Sequence, residues 1–308
     1  MADIFNDDAP WLSAAQAIER YIDVSARFPD AAFPPVTRMA DTLSDLVDDI
    51  DVFVLDGFGV LNVGQDPVPS AVTRIPALRA AGKTLRVLTN GASLPTARTV
   101  EKYRRFGIDF TREEVVSSRD ALTALLASRS ETCWGFSALE NSALRQLCDE
   151  PVWLRDDPDD YARVDGFVLL ATGDWNDARH RLMCRALAER PRPLLVGNPD
   201  LVAPMPGGVT REPGLFAHLI ADAGLATPVF AGKPFANAFA KALESLPADV
   251  DPTRVAMVGD TLHTDILGGA AAGWKTVLVS DHGLMREADI EEVIGRSGVR
   301  PDWIVSTT

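Results

Sequence analysis

Polar residues whose side chains could take part in a reaction stand where short apolar runs of this sequence end. Asp56 follows "VFVL", Thr89 and Asn90 close "LRVLTN", Lys233 follows "PVFAG", and Asp260 follows "VAMVG". Apolar runs that alternate with helical stretches predict a parallel sheet, and ligands bind beyond the carboxyl ends of its strands. We therefore expect two carboxylates, a hydroxyl and an ammonium to meet in one crevice.

This set of groups suits phosphoryl transfer. A carboxylate such as Asp56 can attack phosphorus and divide a difficult hydrolysis into two steps. Two carboxylates and a carbonyl supply the hard oxygen ligands of Mg²⁺, and a hydroxyl and an ammonium can hold the phosphoryl oxygens. Taken singly, each residue is more often a turn former or a helix cap. Four such residues in order, each at the end of an apolar run, favour the chemical interpretation.

Composition limits the partners of the protein. The 308 residues include 30 basic and 44 acidic side chains, so the net charge of −14 argues against a nucleic acid polymer or an anionic membrane as partner. Three cysteines without C-x-x-C spacing predict reduced thiols. The acidic N-terminus does not resemble a signal peptide, and no window approaches the roughly 18 apolar residues of a membrane span. We expect a soluble, cytoplasmic protein.

The pattern of apolar and polar residues changes along the chain and predicts three parts. Residues 1–48 read as an N-terminal helical extension in which Ser13 is a candidate helix N-cap. Residues 49–113 and 212–308 alternate strands and helices and predict a Rossmann-like parallel-sheet core. Residues 114–211 hold a second set of short apolar runs and predict an α/β domain inserted into the first. The predicted fold class is α/β.

These motifs together resemble the haloacid dehalogenase (HAD) superfamily. Its four motifs correspond here to "DGFGV", "LTN", "GKP" and "GDTLHTD". The long α/β insertion between the second and third motifs resembles class IIA, the branch of nitrophenylphosphatases, nucleotidases and sugar phosphatases. The resemblance covers about residues 51–305 and leaves the N-terminal extension unexplained. It implies a phosphatase core closed by the inserted domain as a cap.

The resemblance also implies roles for individual residues. Asp56 would be the nucleophile, with Thr89 and Lys233 as catalytic partners at the phosphoryl group. The remaining implied positions follow from the same motifs. Mg²⁺ would be bound by Asp56, the backbone carbonyl of Phe58 and Asp260, with Asp265 behind them. His263 is a further candidate behind the metal ligands, from its position three residues past Asp260. Asn90 and Gly91, together with Asn198 and Asp200 of "GNPD", would contact substrate.

Phe58 is the departure from the family pattern. HAD phosphatases usually carry a second Asp at this position, which protonates the leaving oxygen and is commonly worth about 10²–10⁴-fold in rate. We favour a Mg²⁺-dependent phosphohydrolase that prefers good leaving groups or uses a substitute acid, for which His263 is one candidate. A phosphate-ligand-binding or regulatory protein on a weakened catalytic scaffold is the alternative. A metal-free dehalogenase ranks below both, because it has no evident use for Asp260 and Asp265.

The substrate cannot be read from the insertion. The predicted helix "DWNDARHRLMCRALAE" carries Arg179, His180, Arg181 and Arg185, which more often form a solvated helix face than a substrate site, with Leu182, Met183 and Leu187 packing inward. We expect the partner to be a small phosphorylated metabolite. Caps of this class often support dimers, so a homodimer is compatible with the sequence.

Overall fold

Two parallel sheets dominate the computed structural model, which describes residues 11–205 and 208–308. The larger sheet has seven strands, all parallel, in the order β2-β17-β16-β15-β3-β6-β7. Their bounds are β2 Arg38–Thr42, β3 Val52–Leu55, β6 Thr84–Thr89, β7 Val115–Ser117, β15 Val255–Gly259, β16 Lys275–Val279 and β17 Trp303–Thr307. The α/β fold with a Rossmann-like core and an inserted α/β cap is confirmed.

The central strand β3 is buried on both faces, as a strand in a parallel sheet covered by helices must be. Phe53 and Leu55 pack with residues of helices α2 (Pro69–Ala80) and α3 (Thr96–Arg105). Val52 and Val54 face the other way, toward helix α8 (Ala236–Glu244). The unbroken apolar run therefore places Asp56 at the first position beyond a rigid strand.

The second sheet has five parallel strands in the order β14-β11-β10-β8-β9. Their bounds are β8 Cys133–Ser137, β9 Glu150–Trp153, β10 Gly166–Leu169, β11 Leu194–Val196 and β14 Val229–Phe230. The helices in this part of the chain are α4 Ser118–Ala127, α5 Pro158–Arg163, α6 Asp177–Glu189 and α7 Pro213–Asp222. In α6, Met183 and Leu187 are buried as expected, and Arg179 is also buried, where it pairs with Asp156.

Two strands lie in a different sheet from the one that the sequence predicts. Val115–Ser117 falls within the predicted insertion but pairs with β6 of the larger sheet. The run "PVF", predicted as a strand of the core, pairs with β11 of the second sheet through Val229 and Phe230. Short apolar runs do not specify their partners, because pairing depends on distant segments. The limits 114 and 211 as domain boundaries stay a prediction.

The N-terminal part is only partly helical, which corrects the prediction of a helical extension over residues 1–48. Helix α1 (Ala14–Asp23) begins at Ser13, whose hydroxyl accepts from the amide of Gln16 at 3.1 Å, so the predicted cap is confirmed. After it, β2 pairs in parallel with β17 and forms one edge of the larger sheet. Residues 1–10 lie outside the described residues.

The remaining elements are short. Strands β1 (Trp11–Leu12), β12 (Val202–Met205) and β13 (Gly208–Arg211) form an antiparallel sheet, and β4 (Asn62–Val63) pairs with β5 (Asp66–Pro67). A π-helical turn, Leu262–Ile266, leads into α9 (Leu267–Ala271), and α10 spans Ile290–Ser297. No helix of the described ranges is long and apolar enough to cross a membrane. The three cysteines are free and partly buried, as expected.

Candidate active site

The strand order brings the ends of three neighbouring strands together. Strand β3 lies between β15 and β6, so Asp56 after β3 stands between Asp260 after β15 and Thr89 at the end of β6. Lys233 reaches the same place from the loop after β14, although β14 belongs to the second sheet. The predicted convergence of these four side chains is therefore present, but one of them arrives from an unexpected sheet.

Three buried carboxylates form the centre of the site. Asp56, Asp260 and Asp265 each offer an oxygen atom within 4.8 Å of the others. The Asp260 carboxylate accepts a hydrogen bond from the amide of Leu284 at 2.7 Å and from the hydroxyl of Thr261 at 3.0 Å. The Thr261 amide in turn donates to Asp265 at 3.2 Å. Backbone and hydroxyl donors thus fix two of the three carboxylates in place.

Glycines provide the room that the carboxylates occupy. A Cβ atom at Gly283 would lie 1.9 Å from an Asp260 oxygen, and one at Gly59 would lie 2.5 Å from the same side chain. At Gly259 a Cβ atom would lie 2.0 Å from Cγ of Asp265. These distances are far below van der Waals contact. Backbone approach to the carboxylates therefore requires glycine at these positions.

Lys233 joins two of the carboxylates. Its Nζ lies 2.6 Å from an oxygen of Asp56 and 2.6 Å from an oxygen of Asp265, and the side chain is 1% exposed. Burial alone would lower the pKa of Lys233, but the carboxylates of Asp265 and Asp56 outweigh this effect and raise it. Lys233 therefore remains a cation.

The centre carries more negative charge than one ammonium can neutralise. Burial, followed by repulsion from Asp265 and Asp56, raises the pKa of Asp260. Burial also raises the pKa of Asp265, against the attraction of Lys233. A hard divalent cation binds to carboxylate oxygens, and here their negative charge exceeds the positive charge of Lys233. The residues present fit a metal ion.

Phe58 lies next to this centre but contributes no acid. The backbone passes close to Asp260 at Gly59, so the carbonyl of Phe58 belongs to the same neighbourhood as the carboxylates. Its role as a metal ligand stays a prediction. The ring of Phe58 lines a cavity beside the site and lies 4.9 Å from the ammonium of Lys102.

The three predicted residues of the second motif differ in what they contact. Thr89 is buried, its hydroxyl accepts from the amide of Gly91 at 3.2 Å, and both residues line the cavity. The amide of Asn90 instead donates to Asp200 at 2.8 Å and to the carbonyl of Lys233 at 3.0 Å. Its oxygen accepts from the Lys233 amide at 2.7 Å. The Asn90 side chain holds the Lys233 loop, and its contact with substrate stays a prediction.

The "GNPD" segment packs behind the site rather than along the cavity. Asn198 donates to Glu212 at 3.1 Å and accepts from the amide of Asp200 at 3.0 Å. Burial raises the pKa of Asp200, and Lys233 opposes that shift. Neither Asn198 nor Asp200 lines the cavity beside Phe58. Their predicted contact with substrate stays a prediction.

His263 lies in the π-helical turn against the N-terminal part of the chain. Its ring stacks on Tyr21 at 5.3 Å between centroids, and burial lowers its pKa to about 4. The role of His263 as the substitute acid stays a prediction. Tyr21, whose hydroxyl accepts from the amide of Leu201 at 3.0 Å, was missed because nothing in its helix signals chemistry.

Lys102 on α3 is the main residue that sequence reasoning missed. Burial lowers its pKa to about 8, against the attraction of Asp56. Together with Arg98 and Arg105 it lines the cavity beside Phe58, whose volume is about 780 Å³. The spacing of residues 98, 102 and 105 places three cations on one helix face, and this spacing was the available signal.

Two family models match separate parts of the chain. Residues 53–147 match the model of haloacid dehalogenase-like hydrolases, and residues 230–307 match the HAD-hydrolase-like model. An acid sugar phosphatase from Staphylococcus aureus is 27% identical over 228 residues, which cover 74% of this chain and 85% of the relative.

Solved structures agree with this match. A possible sugar phosphatase of the HAD superfamily from Cytophaga hutchinsonii is 25% identical, with a TM-score of 0.77 over 88% of this chain and 98% of the other. A p-nitrophenyl phosphatase from Archaeoglobus fulgidus, 24% identical, has a TM-score of 0.70 over 84% of this chain and 97% of the other. The second likeness concerns the fold alone.

Proposed function

Because the chain belongs to the HAD superfamily and is similar to its class IIA members, we propose that it is a Mg²⁺-dependent phosphatase of small phosphate monoesters, acting through an aspartyl-phosphate. The observation that carries this proposal is the buried group of Asp56, Asp260 and Asp265 around the ammonium of Lys233. A protein that only binds phosphate has no need of a nucleophile held in this way.

The contacts of Asp56 suggest which oxygen attacks. Lys233 and the amide of Gly57 both bond to Oδ1, each at 2.6 Å. Within the described residues Oδ2 has no such partner, so it is free to approach phosphorus. The bond from Oδ2 to phosphorus forms as the ester bond to the leaving oxygen breaks. Water then attacks the phosphorus, which releases inorganic phosphate and restores the carboxylate.

Each surrounding group has a defined task in this scheme. In this proposal the Thr89 hydroxyl and the amide of Gly91 hold the phosphoryl oxygens, which is supported by the place of both residues in the lining of the cavity. Lys233 orients the nucleophile and neutralises charge at the phosphoryl group. Asp56, Asp260 and the carbonyl of Phe58 would hold Mg²⁺, which when bound supplies Lewis-acid stabilisation of the phosphoryl charge.

Phe58 determines which esters react. Without a carboxylic acid at this position the leaving oxygen departs as an anion, so the rate depends on the acidity of the leaving alcohol or phenol. We expect efficient hydrolysis of nitrophenyl and acyl-type phosphates and slow hydrolysis of simple alkyl phosphates.

Hydrolysis of 4-nitrophenyl phosphate with and without Mg²⁺ tests the proposal. We expect metal-dependent release of nitrophenol that falls by at least about 10³-fold in the isosteric Asp56→Asn variant. If wild type and Asp56→Asn release nitrophenol at equal rates, the protein is not a phosphatase of this mechanism. Inactive protein that still binds inorganic phosphate would favour the binding-protein alternative.

The variant Phe58→Asp tests the missing acid separately. Across aryl phosphates of graded leaving-group acidity, wild type should show a steep dependence of kcat/KM on the pKa of the leaving group. Phe58→Asp should flatten that dependence, because a carboxylic acid can then protonate the leaving oxygen. A dependence that is already flat in wild type would show that another group donates the proton.

A further inference from the structure

The cavity beside Phe58 extends from Thr89 at the end of β6 to helix α3 and is large enough for a metabolite. Its volume of about 780 Å³ is within the range of small-molecule sites. Thr89 and Gly91 line one part of it, and residues of α3 line another. A phosphate ester whose phosphoryl group lies at Thr89 would place its alcohol part against α3.

Lys102 lines this cavity and forms no ion pair with a carboxylate among the described residues. Its ammonium lies 4.9 Å from the ring centroid of Phe58 and 4.7 Å from that of Tyr103, and it donates to Oδ1 of Asn62 at 3.0 Å. An ammonium has three N–H donors, and only one is used within the part of the chain that the structure describes. A partly buried cation of this kind loses hydration that a ligand anion can restore.

Phe58 explains why the charge of Lys102 remains available. A carboxylate at position 58 would stand beside this ammonium and form an ion pair with it. An aromatic ring attracts the cation through its π face but leaves its charge uncompensated. The substitution that removes the acid from the first motif therefore also frees a cation for binding.

Further cations accompany Lys102 on the same helix. Arg105 is exposed, lines the cavity and has no ion pair among the described residues, whereas Arg98 pairs with Glu101 at 2.8 Å. This concentration of positive charge contrasts with the net charge of −14 for the whole chain. A local basic wall on an acidic protein selects an anion close to the site and repels bulk polyanions.

We propose that the alcohol part of the substrate carries an anionic group of its own, a carboxylate or a second phosphate, which binds to Lys102 and Arg105. This inference rests on the proposed phosphatase function and specifies the substrate class of the same site. Charge-assisted hydrogen bonds to the second anion hold the ester while its phosphoryl group faces Asp56.

Two pairs of probes test the inference. 4-Nitrophenyl phosphate is compared with its 3-carboxylated analogue, and phenyl phosphate with 1,4-phenylene bisphosphate, so that each pair differs in one anionic group. Charge-assisted bonds of usual strength predict about a tenfold or greater preference in kcat/KM for the anionic member, mainly through KM. The pair with the larger preference tells whether the group is a carboxylate or a phosphate.

Variants assign the preference to the named side chains. Lys102→Gln should remove most of the preference for the anionic member of each pair. Arg105→Gln, an exposed change that leaves the fold intact, should remove part of it. Lys241→Gln is the matched control, because Lys241 forms only an exposed pair with Glu244 on α8.

The outcomes separate this inference from the proposed function. Hydrolysis of both members of each pair at equal kcat/KM would overturn the inference and leave the phosphatase assignment in place. An unchanged preference in Arg105→Gln would also overturn it, even if Lys102→Gln failed to fold. Absence of hydrolysis of every probe with Mg²⁺ would instead overturn the proposed function.

Discussion

At the scale of single residues, the site is a balance of buried charges. Lys233 compensates for Asp56 and Asp265, and glycines give the carboxylates their room. The sequence predicts Asp56 and Lys233 from their places after apolar runs, whereas Asp265 is predicted from the family resemblance. It does not predict their mutual bonds, because Lys233 and Asp265 come from separate loops.

Removal of the Lys233 charge should destabilise the protein as well as inactivate it. Lys233→Met leaves two buried carboxylates without compensation, and we expect a loss of about 3–5 kcal/mol in the free energy of unfolding. Adding Asp265→Asn should recover part of this loss, which urea unfolding of the double variant measures. Strictly additive losses would contradict the coupling between Lys233 and Asp265.

Gly283 should tolerate no side chain. In Gly283→Ala the new Cβ overlaps an Asp260 oxygen, so we expect a loss of about 1–3 kcal/mol in stability and about 10²-fold in kcat/KM. Gly295→Ala is the matched control, since beyond its own helix backbone and chain neighbours no atom of the described residues lies within 4 Å of its Cβ position inside α10. That control should gain about 0.5–1 kcal/mol. Equal behaviour of the two variants would contradict the packing argument.

At the scale of elements, helix α1 and the turn after it pack against helix α7. The salt bridges of Arg20 and Arg27 with Asp222 join α1 and the turn after it to α7. His218 of α7 is fully buried there, with Nδ1 3.2 Å from a guanidinium nitrogen of Arg27. The sequence predicts a helix after Ser13 but does not show that this helix meets α7.

His218 should make stability fall in mild acid. Burial, then the charges of Arg27 and Arg20, lower its pKa to about 3 against the opposing charge of Asp222. Between the unfolded pKa of about 6.5 and that value, only the unfolded chain binds the proton, so stability decreases as pH falls, by up to about 1.4 kcal/mol per pH unit. In His218→Gln the dependence of unfolding free energy on pH from 6.5 to 4.5 should be flatter. An identical pH dependence would show that His218 is protonated in the folded protein.

At the scale of the whole molecule, an acidic protein brings the carboxylates of Asp56, Asp260 and Asp265 together near the ends of its central strands. Folding them together is unfavourable unless positive charge is supplied, and Lys233 supplies only part of it. A divalent cation that binds the folded state and not the unfolded chain must therefore raise stability by mass action.

Thermal unfolding measures this linkage. At about 100 times its dissociation constant, Mg²⁺ should add about 2.7 kcal/mol, which corresponds to a rise of about 5 °C in Tm, and a chelator should reverse it. Asp260→Asn should lose most of the rise. Asp281→Asn, a change at an exposed carboxylate bonded to Ser280, should keep it. An undiminished rise in Asp260→Asn would place the bound ion elsewhere.

The sequence alone determined the α/β class, the insertion and the strand-end residues, because these depend on short runs of neighbouring side chains. Asp56, Thr89 and Asp260 follow strands whose apolar residues must be buried, so their common edge follows from parallel pairing. Only the tertiary structure decided that β7 belongs to the larger sheet and β14 to the second, that His263 stacks on Tyr21, and that Lys102 lies over Phe58. These contacts join segments far apart in the chain, and their free energy depends on which surfaces the completed fold brings together.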